Sequence, residues 1–326
     1  MSQVISGGLL INKPPGVTSH DVVVLVRRFI GIKRVGHTGT LDPFATGLLV
    51  LCVGPATRLS RFLTDTSKSY RAVLRFGFAT DTQDLTGKPL TPPRSTEGLT
   101  EERLREVARS FLGKQLQTPP MYSAKKIDGV ALYQLARAGK VVVRAATPIE
   151  VFRFEFIPDA EGRIIRQDEQ GAILVECDVT CSSGTYIRTL AHDIGERIGC
   201  GAHLVALHRT AVDGFTVEEA ITLEDLQRCV VTGNWADKLL SPLDMLRGWP
   251  RVTLKAQQAQ RFVQGQLLPL TANDIVPGDA QRRLFPVTPE VGVAVTDETG
   301  RLLGVGRYEA SAGRLRPQTV LPPPIT

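Results

Sequence analysis

The apolar residues of this chain follow a helical period in some segments and a strand period in others. Residues 18–31 (TSHDVVVLVRRFIG) place apolar side chains at helical spacing, with Thr18 or Ser19 available to cap the helix and Gly31 to end it. Residues 69–78 alternate apolar and polar positions, which is typical of a strand with one buried face. The same reasoning predicts helices over 99–113, 184–199, 222–230 and 253–265, and strands over 172–181 and 291–309.

The order of these elements predicts the fold class. Helices and strands follow one another irregularly, without repeating βα units and without a dinucleotide-binding loop. We therefore expect an α/β fold of the α+β type with a mixed, mainly antiparallel sheet, and no parallel doubly wound core.

Changes in composition predict where the domains begin and end. Composition shifts near residues 236–250, and the chain beyond them reads as a short helix and two strands around a DETG turn. We expect a first domain over 1–235, a linker over 236–250 and a small, mostly β domain over 251–326. Within the first domain, residues 115–147 carry a Pro-Pro pair, several basic residues and two tyrosines, which indicates an excursion from the core.

The charge of the chain favours an acidic partner. Among 326 residues, 42% are apolar and 22% charged, which is enough for a core and too little charge for disorder. Lys and Arg outnumber Asp and Glu by 39 to 33, a net charge of +6. The excess concentrates in two segments that resemble a polyanion-binding surface, although two solvated faces would look the same. These basic residues are Lys13, Arg27, Arg28, Lys33 and Arg34, then Lys114, Lys125, Lys126, Arg137, Lys140 and Arg144, with Asp21 and Asp128 as the acids among them.

Cysteine and histidine spacing gives no sign of a metal site. The five cysteines form no C-x-x-C pair and the five histidines no H-x-x-x-H pair. Cys177 and Cys181 are four residues apart in an alternating run, so we expect both on the buried face of one strand. With no leader-like N-terminus and no apolar run long enough to span a membrane, we expect a cytoplasmic protein.

The loop VGHTGTLDPFATG, residues 35–47, contains a single acid, Asp42. It does not match the phosphate-binding pattern G-x-x-x-x-G-K-[ST]. Asp42 has no close acidic partner in the sequence, which argues against a metal-carboxylate cluster and against a glycosidase pair.

Two interpretations of Asp42 remain open on spacing alone. Asp42 could cap a following helix, with Pro43 at the first helical position. Alternatively, it could be a catalytic nucleophile, since Gly36, Gly39 and Gly47 would let a ligand approach the backbone of the same loop.

Six stretches between residues 9 and 215 resemble, in order, the bacterial tRNA pseudouridine synthase TruB family. They are INKPPGVTSHDVV, GHTGTLDPFATGLL, KSYRAVLRFG, PPMYSAKKIDG, CSSGTYIRTLAHDIG and GCGAHLVALHRTAVDGF. The tail from about residue 250 resembles the PUA-type RNA-binding domain of bacterial members. The resemblance implies a pseudouridine synthase core followed by a PUA-like β domain.

The resemblance also implies a reaction and a partner. The family isomerises a uridine of the tRNA T-loop, at position 55 of tRNA, to pseudouridine on a flipped-out nucleotide. No cofactor or metal is required, because the product is an isomer of the substrate. The implied partner is the T stem-loop of tRNA, with no membrane and no obligate protein partner, so we expect a monomer.

Three residues match the family's chemical positions. Asp42 matches the catalytic aspartate, in the same G-H-T-G-x-L-D-P frame. Tyr70 matches the tyrosine that packs on the target base and is implicated in proton removal at C5. Arg188 matches the arginine that pairs with the aspartate, and such a pair would keep Asp42 ionised and oriented.

Further residues match positions that bind the RNA. Tyr186 and Leu207 match residues lining the uracil pocket, and His37 matches the histidine that fills the space of the flipped nucleotide. Lys125 and Lys126 lie in the segment that corresponds to the family's RNA-binding thumb, residues 115–147.

The chain departs from the family at three positions. Val130, Ala131 and Ser183 stand where members often carry basic residues, so the affinity of the thumb for RNA is in question.

Two other functions are compatible with parts of this sequence. One is an RNA-binding or RNA-folding protein in which the pocket only clamps the RNA. The other is an aspartate-dependent hydrolase of nucleosides or phosphoesters, which the missing metal ligands and second carboxylate disfavour.

Overall fold

The computed structural model describes residues 5–127, 129–279, 288 and 290–322. Asp128, which the second basic segment includes, lies outside the described residues. So do residues 1–4, at the start of the predicted first domain, and residues 280–287, 289 and 323–326 of the predicted C-terminal domain.

The described chain contains strands and helices in an irregular order. The strands are β1 Gly7–Lys13, β2 Val35–His37, β3 Thr46–Val53, β4 Lys68–Phe76, β5 Gly113–Gln117, β6 Lys126–Ile127, β7 Val130–Ala131, β8 Thr147–Phe156, β9 Ile165–Gln167, β10 Ile173–Cys181, β11 Ala202–Val212, β12 Phe215–Thr216, β13 Arg251–Leu254, β14 Leu268–Pro269, β15 Val293–Asp297, β16 Leu302–Glu309 and β17 Arg314–Val320. The α-helices are α1 Ser19–Ile30, α2 Ser60–Thr64, α3 Glu101–Arg109, α4 Leu132–Arg137, α5 Ile187–Ile198, α6 Leu223–Val231 and α7 Ala256–Val263.

The chain divides into two compact units, of which the first comprises residues 1–66 and 211–326. In this unit β3 pairs antiparallel with β1 and with β2. Helix α1 covers these strands with an apolar stripe that includes Val22, Val23 and Val26, all buried. Its ends match the sequence prediction, because Thr18 caps the first turn and Gly31 ends the helix in the left-handed conformation, at φ 71°.

The C-terminal part of the first unit is a second sheet of five strands, in the order β13-β15-β16-β17-β14. Strands β13 and β15 are parallel, whereas β15, β16, β17 and β14 pair antiparallel. Leu302 and Leu321 of this sheet region pack in one apolar cluster with Leu59, Leu63 and Trp249. The predicted DETG hairpin is therefore confirmed, and its sheet shares a core with the segment after β3. The predicted boundaries at 235 and 251 stay predictions.

The second unit comprises residues 67–210. Its sheet has the order β11-β4-β10-β8-β5, and β10 pairs antiparallel with both β4 and β8. The alternation predicted for β4 is confirmed, since Tyr70, Ala72 and Leu74 are buried. Helices α3 and α5 pack against each other.

The predicted fold class is confirmed: helices combine with mixed, mainly antiparallel sheets. Cys177 and Cys181 are both buried in β10, as their spacing predicts. Burial raises the pKa of the Cys181 thiol to about 12, which leaves it protonated and unreactive near neutral pH. Among the described residues, no helix is long and apolar enough to cross a membrane.

Candidate active site

Asp42 lies in the loop that joins β2 to β3 in the first unit. The strands pair from Val35 opposite Val53 to His37 opposite Leu51, so the loop begins directly after a paired segment. The backbone N–H of Ala45 donates to the Asp42 carbonyl at 3.1 Å, and the chain enters β3 at Thr46. No helix begins directly after Asp42. The interpretation of Asp42 as a helix cap is therefore wrong, because the residues after Pro43 form a turn that leads into a strand.

Ser19 fixes the backbone immediately before Asp42. This serine is the first residue of α1 and is buried. Its hydroxyl accepts from the Leu41 N–H at 2.8 Å and donates to the Leu41 carbonyl at 3.2 Å. Thr18 caps the helix, so the hydroxyl of Ser19 is left to hold the loop, a role that the sequence analysis did not identify.

Lys13 fixes the backbone immediately after Asp42. Its side chain is 0% exposed, and its ammonium donates to the carbonyls of Pro14, Val17 and Pro43 at 2.9, 2.8 and 3.2 Å. The Gly16 N–H also donates to the Pro43 carbonyl, at 2.8 Å. The prediction that Lys13 belongs to a polyanion-binding surface is therefore wrong, because its ammonium is buried and donates to backbone carbonyls.

The remaining features of the loop concern His37 and the glycines. His37 is half-buried, and its Nδ1 accepts from the Gly39 N–H at 3.3 Å. Gly47 has a φ of +101°, which requires a glycine at the point where the chain enters β3. At Gly36 the space that a side chain would occupy is open. The approach of a ligand to the backbone of this loop stays a prediction.

Tyr70 lies in the middle of β4 in the second unit, opposite Val179 of β10. The residue is buried, and it lies on the same strand face as Ala72 and Leu74. Its position in a paired strand fixes the backbone that carries the phenol.

Arg188 is the second residue of α5 and is 3% exposed. Its Nη1 donates to the Thr82 carbonyl at 2.9 Å and its Nη2 to the Tyr122 carbonyl at 2.8 Å. Its Nε lies 3.7 Å from a carboxylate oxygen of Asp84. A buried guanidinium held at three points has little freedom to change its orientation.

Asp84 organises the turn that holds Arg188. One of its oxygens accepts from the Thr82 hydroxyl at 2.8 Å and from both the N–H and the hydroxyl of Thr86, at 2.9 and 2.6 Å. From the sequence alone, this segment is recognisable only as rich in turns. A signal was available, because an aspartate between threonines is typical of a side-chain-stabilised turn.

Tyr186 and Leu207, the two residues predicted to line a pocket, both lie in the second unit. Tyr186 precedes α5, where the Gln117 side chain accepts from its N–H at 2.8 Å and donates to its carbonyl at 3.1 Å. Gln117 is a buried residue of β5 that the sequence analysis did not single out. Leu207 is buried in β11.

Lys125 and Lys126 lie in an insertion between two neighbouring strands. Strands β5 and β8 pair from Gly113 opposite Val151 to Gln117 opposite Thr147, so residues 118–146 leave the sheet and return to the same place. The described part of this insertion contains the two-residue strands β6 and β7 and the helix α4. Lys126 is exposed and Lys125 is half-buried. The geometry is that of an excursion from the sheet, as the sequence indicates.

The predicted site residues are thus divided between the two units. Asp42 and His37 belong to the first, whereas Tyr70, Lys125, Lys126, Tyr186, Arg188 and Leu207 belong to the second. The pairing of Asp42 with Arg188 stays a prediction. Among the described residues, no group of three or more His, Cys, Asp or Glu side chains is arranged to hold a metal ion.

Models of known protein families match most of this chain. Residues 27–187 match the model of the N-terminal domain of the TruB family pseudouridylate synthases. Residues 188–246 match the tRNA pseudouridylate synthase B C-terminal domain, and residues 250–321 match the C-terminal domain of pseudouridine synthase II TruB. This chain belongs to the TruB family.

Curated relatives extend the TruB match to almost the whole chain. A tRNA pseudouridine synthase B from Ralstonia pickettii (strain 12J) is 42% identical over 319 residues, which cover 97% of this chain and 94% of the relative. A protein of the same name from Geobacter sulfurreducens is 43% identical over 303 residues, covering 91% and 95%.

Solved structures show the same TruB-like fold at lower sequence identity. A Cbf5–Nop10–Gar1 complex contains a chain that matches with a TM-score of 0.71 at 24% identity, covering 98% of this chain and 86% of that one. An H/ACA RNP bound to a substrate RNA containing 2′-deoxyuridine matches with a TM-score of 0.70 at 22% identity, covering 98% and 86%. At these identities the likeness establishes the fold alone.

Proposed function

We propose that this chain is a tRNA pseudouridine synthase that isomerises uridine 55 in the T-loop of tRNA. The observation that carries the proposal is the match to relatives named tRNA pseudouridine synthase B, at 42–43% identity over 94–95% of their own length. The rigidly held loop of Asp42 supports it from the structural side. Such a loop suits a reaction in which one carboxylate must be presented at a fixed position.

The reaction requires one bond to break and one to form within the same nucleotide. The N1–C1′ bond is broken, the uracil turns, and C5 joins C1′. The proton on C5 then leaves, N1 gains a proton, and the sum is an isomer with no net redox change. Asp42 is the carboxylate that acts on this nucleotide, either by adding to C1′ or C6 or by stabilising positive charge on the sugar.

Arg188 and Tyr70 complete the proposed chemistry. Arg188 is held by the Thr82 and Tyr122 carbonyls and by Asp84, which leaves a fixed cation to orient a carboxylate. We assign Tyr70 to packing on the uracil and to removal of the C5 proton. Its place in a paired strand supports a fixed position for the ring.

The target nucleotide must leave its stack before it can react. Flipping a base out of a folded RNA costs roughly a few kcal/mol, which contacts to the base and to the space that it leaves must offset. We assign the uracil pocket to Tyr186 and Leu207, and the vacated space to His37. Lys125 and Lys126 would bind phosphates from the excursion. The proposal requires no cofactor, metal or protein partner.

The test uses unmodified tRNA transcripts and maps pseudouridine at single-nucleotide resolution. The parent chain should convert U55, a transcript with cytidine at position 55 should stay unmodified, and Asp42→Asn should bind tRNA without converting it. An RNA-binding protein without chemistry would bind all transcripts and convert none. Release of free uracil or cleavage of the RNA would instead show the hydrolase, and conversion at another uridine would refute the assignment of position 55.

A further inference from the structure

Gln83 has an unusual backbone conformation next to the residues that hold Arg188. Its φ is +63°, in the left-handed region that glycine adopts freely and glutamine rarely adopts. Its neighbours in the chain are Thr82, whose carbonyl accepts from Arg188, and Asp84, whose carboxylate lies beside the same guanidinium. A residue kept in a strained conformation beside a candidate site indicates that it contributes something which offsets the strain.

The backbone of Gln83 fixes the turn over residues 80–87 without requiring a glutamine. Its N–H donates to the Thr80 carbonyl at 3.1 Å, and its carbonyl accepts from the N–H of Leu204 in β11 at 3.1 Å. Every residue except proline supplies both groups, and a glycine would supply them without the strain. The backbone contacts therefore explain why the turn lies against β11. They do not explain why its left-handed position carries a long polar side chain.

The side chain of Gln83 makes a contact that a glycine could not make. The hydroxyl of Thr189 donates to Oε1 of Gln83 at 2.7 Å, and Thr189 is 2% exposed. Thr189 directly follows Arg188 in α5, and successive helical residues point about 100° apart, so the two side chains reach the turn in different directions. Arg188 binds the backbone of Thr82, and Thr189 binds the side chain of the next residue. Neighbouring residues of the helix are thus attached to neighbouring residues of the turn.

The contact from Thr189 holds the turn to α5 independently of Arg188. The hydrogen bonds from Thr82 and Thr86 to the Asp84 carboxylate lie within the turn, so they set its shape and not its position relative to the helix. Without the hydroxyl of Thr189, the position of the turn relative to α5 would depend on Arg188, the residue that the turn is to orient. With it, the Thr82 carbonyl and the Asp84 carboxylate are presented to the guanidinium at a fixed place.

We propose that Gln83, held by Thr189, is a positioning residue for Arg188. The inference rests on the proposed function, because it assigns this pair to the rate at which Asp42 acts on the uridine, through the guanidinium that orients the carboxylate. Gln83 lies outside the six stretches that carry the family resemblance. A displaced guanidinium lowers the rate of the chemical step, whereas the affinity for RNA should not change, since Thr189 is buried and engages the side chain of Gln83.

The test measures the single-turnover rate of pseudouridine formation at saturating unmodified tRNA, the Kd for tRNA and the melting temperature. Gln83→Gly removes the side chain and relieves the backbone strain, and Thr189→Val replaces the hydroxyl by a methyl group. Thr189→Ser keeps the hydroxyl and is the conservative variant. Thr296→Val is the matched control, because Thr296 of β15 is 1% exposed and its hydroxyl lies 3.1 Å from the hydroxyl of Thr253.

We expect Gln83→Gly and Thr189→Val each to lower the single-turnover rate by about 10-fold, because small displacements of a reacting group are costly. The Kd should stay within about twofold of the parent value, since the loss concerns the transition state. The double variant should be no slower than the slower single variant, because either change alone removes the same hydrogen bond. Thr189→Ser should keep the parent rate, and Thr296→Val should lower only the melting temperature. A merely structural role would instead make the rate follow the melting temperature in every variant.

The parent rate in Gln83→Gly, a double variant that loses the product of the two single losses, or an equal loss of rate in Thr296→Val would each overturn the inference. So would a weaker Kd at an unchanged rate. If Thr189→Val does not fold, Gln83→Gly and Thr189→Ser give the same test, through loss of rate in the first and its retention in the second. Failure of the proposed function looks different, because the parent chain itself would then convert no uridine. A parent chain that converts U55, together with Gln83→Gly at the parent rate, would remove the positioning role and leave the proposed function intact.

Discussion

The Asp42 loop and the excursion over residues 118–146 are built in opposite ways. The loop is held from both sides by buried side chains, Ser19 before Asp42 and Lys13 after it. The described part of the excursion has two-residue strands, a six-residue helix and fully solvent-facing valines such as Val143, which is 98% exposed. Buried side chains therefore hold the Asp42 loop in place, whereas the described part of the excursion has few buried side chains to hold it.

This difference corresponds to two different demands. A carboxylate that stabilises a transition state gains most when its position is set before the substrate binds. A segment that binds an irregular RNA gains from adjusting its shape, at the cost of ordering on binding. The contrast predicts that changes in the loop affect the rate of the chemical step, whereas changes in the excursion affect binding.

The largest effect is expected for Asp42→Asn. The substitution removes the charge and keeps the size, and it leaves the Asp42 carbonyl, which accepts from the Ala45 N–H, in place. Because an amide neither attacks carbon nor balances a developing cation, pseudouridine formation should fall by on the order of 10³-fold or more. Pseudouridine mapping and tRNA binding are measured in parallel. A folded Asp42→Asn protein with close to the parent rate would refute the role of Asp42.

The second prediction compares two neighbouring hydroxyls at the start of α1. Ser19→Ala removes both hydrogen bonds to Leu41, which should lower kcat by about 10- to 100-fold, because small displacements of a reacting group are costly. Thr18→Ala removes the helix cap, which should cost about 1 kcal/mol of stability without lowering kcat. Single-turnover rates and thermal melts separate the two effects.

Equal rates in Ser19→Ala and the parent chain would show that the loop does not need this contact. Equal loss of rate in Thr18→Ala would show that only the helix matters. Either result would refute a specific role for the Ser19 hydroxyl in positioning the Asp42 loop.

The helices and strands could be predicted from the sequence because their signals are local. The stripe of Val22 and Val26, the cap at Thr18 and the stop at Gly31 all lie within one element, and all three are confirmed. The cap proposed for Asp42 failed because the dipeptide Asp-Pro also starts turns, and only the pairing of β3 decides between the two. The dipeptide alone therefore does not distinguish a helix start from a turn, whereas the pairing of β3 in the sheet does.

The resemblance to the family predicts which residues form the site. Reasoning from neighbouring residues in the sequence does not predict the contacts that hold them. From the sequence, Lys13 is expected to be a surface charge. In the structure its ammonium donates to three backbone carbonyls, and one of them belongs to Pro43, 30 residues further along the chain. Gln117 and Tyr186 are 69 residues apart and form two hydrogen bonds. Contacts of this range depend on the finished fold, so spacing along the chain does not reveal them.

The third prediction concerns the lysines of the excursion. Lys125→Gln together with Lys126→Gln should weaken tRNA binding and reduce the salt slope by up to about 1.8, because each lost phosphate contact removes about 0.9. The single-turnover rate at saturating tRNA should remain within about twofold. The charge-matched control is Arg103→Gln together with Arg301→Gln, which removes two exposed arginines that are paired with Glu106 and Asp297. A reduced rate at saturation would contradict the comparison, since the excursion would then also position the base.

The smallest effect tests the departure of this chain from its family at two adjacent positions. Val130 is 41% exposed, whereas Ala131 is 7% exposed and packs at the start of α4. Val130→Lys adds a charge that can reach a phosphate, so the Kd for tRNA should tighten by a few-fold at low salt and the salt slope should rise by up to about 0.9. Ala131→Lys places its stem in a buried position and should cost about 1–3 kcal/mol of stability without comparable gain in affinity. Salt-dependent binding and thermal melts are measured for both variants. If Ala131→Lys tightened binding as much as Val130→Lys and did not destabilise the protein, the excursion would repack freely, and its described contacts would say little about which residues face the RNA.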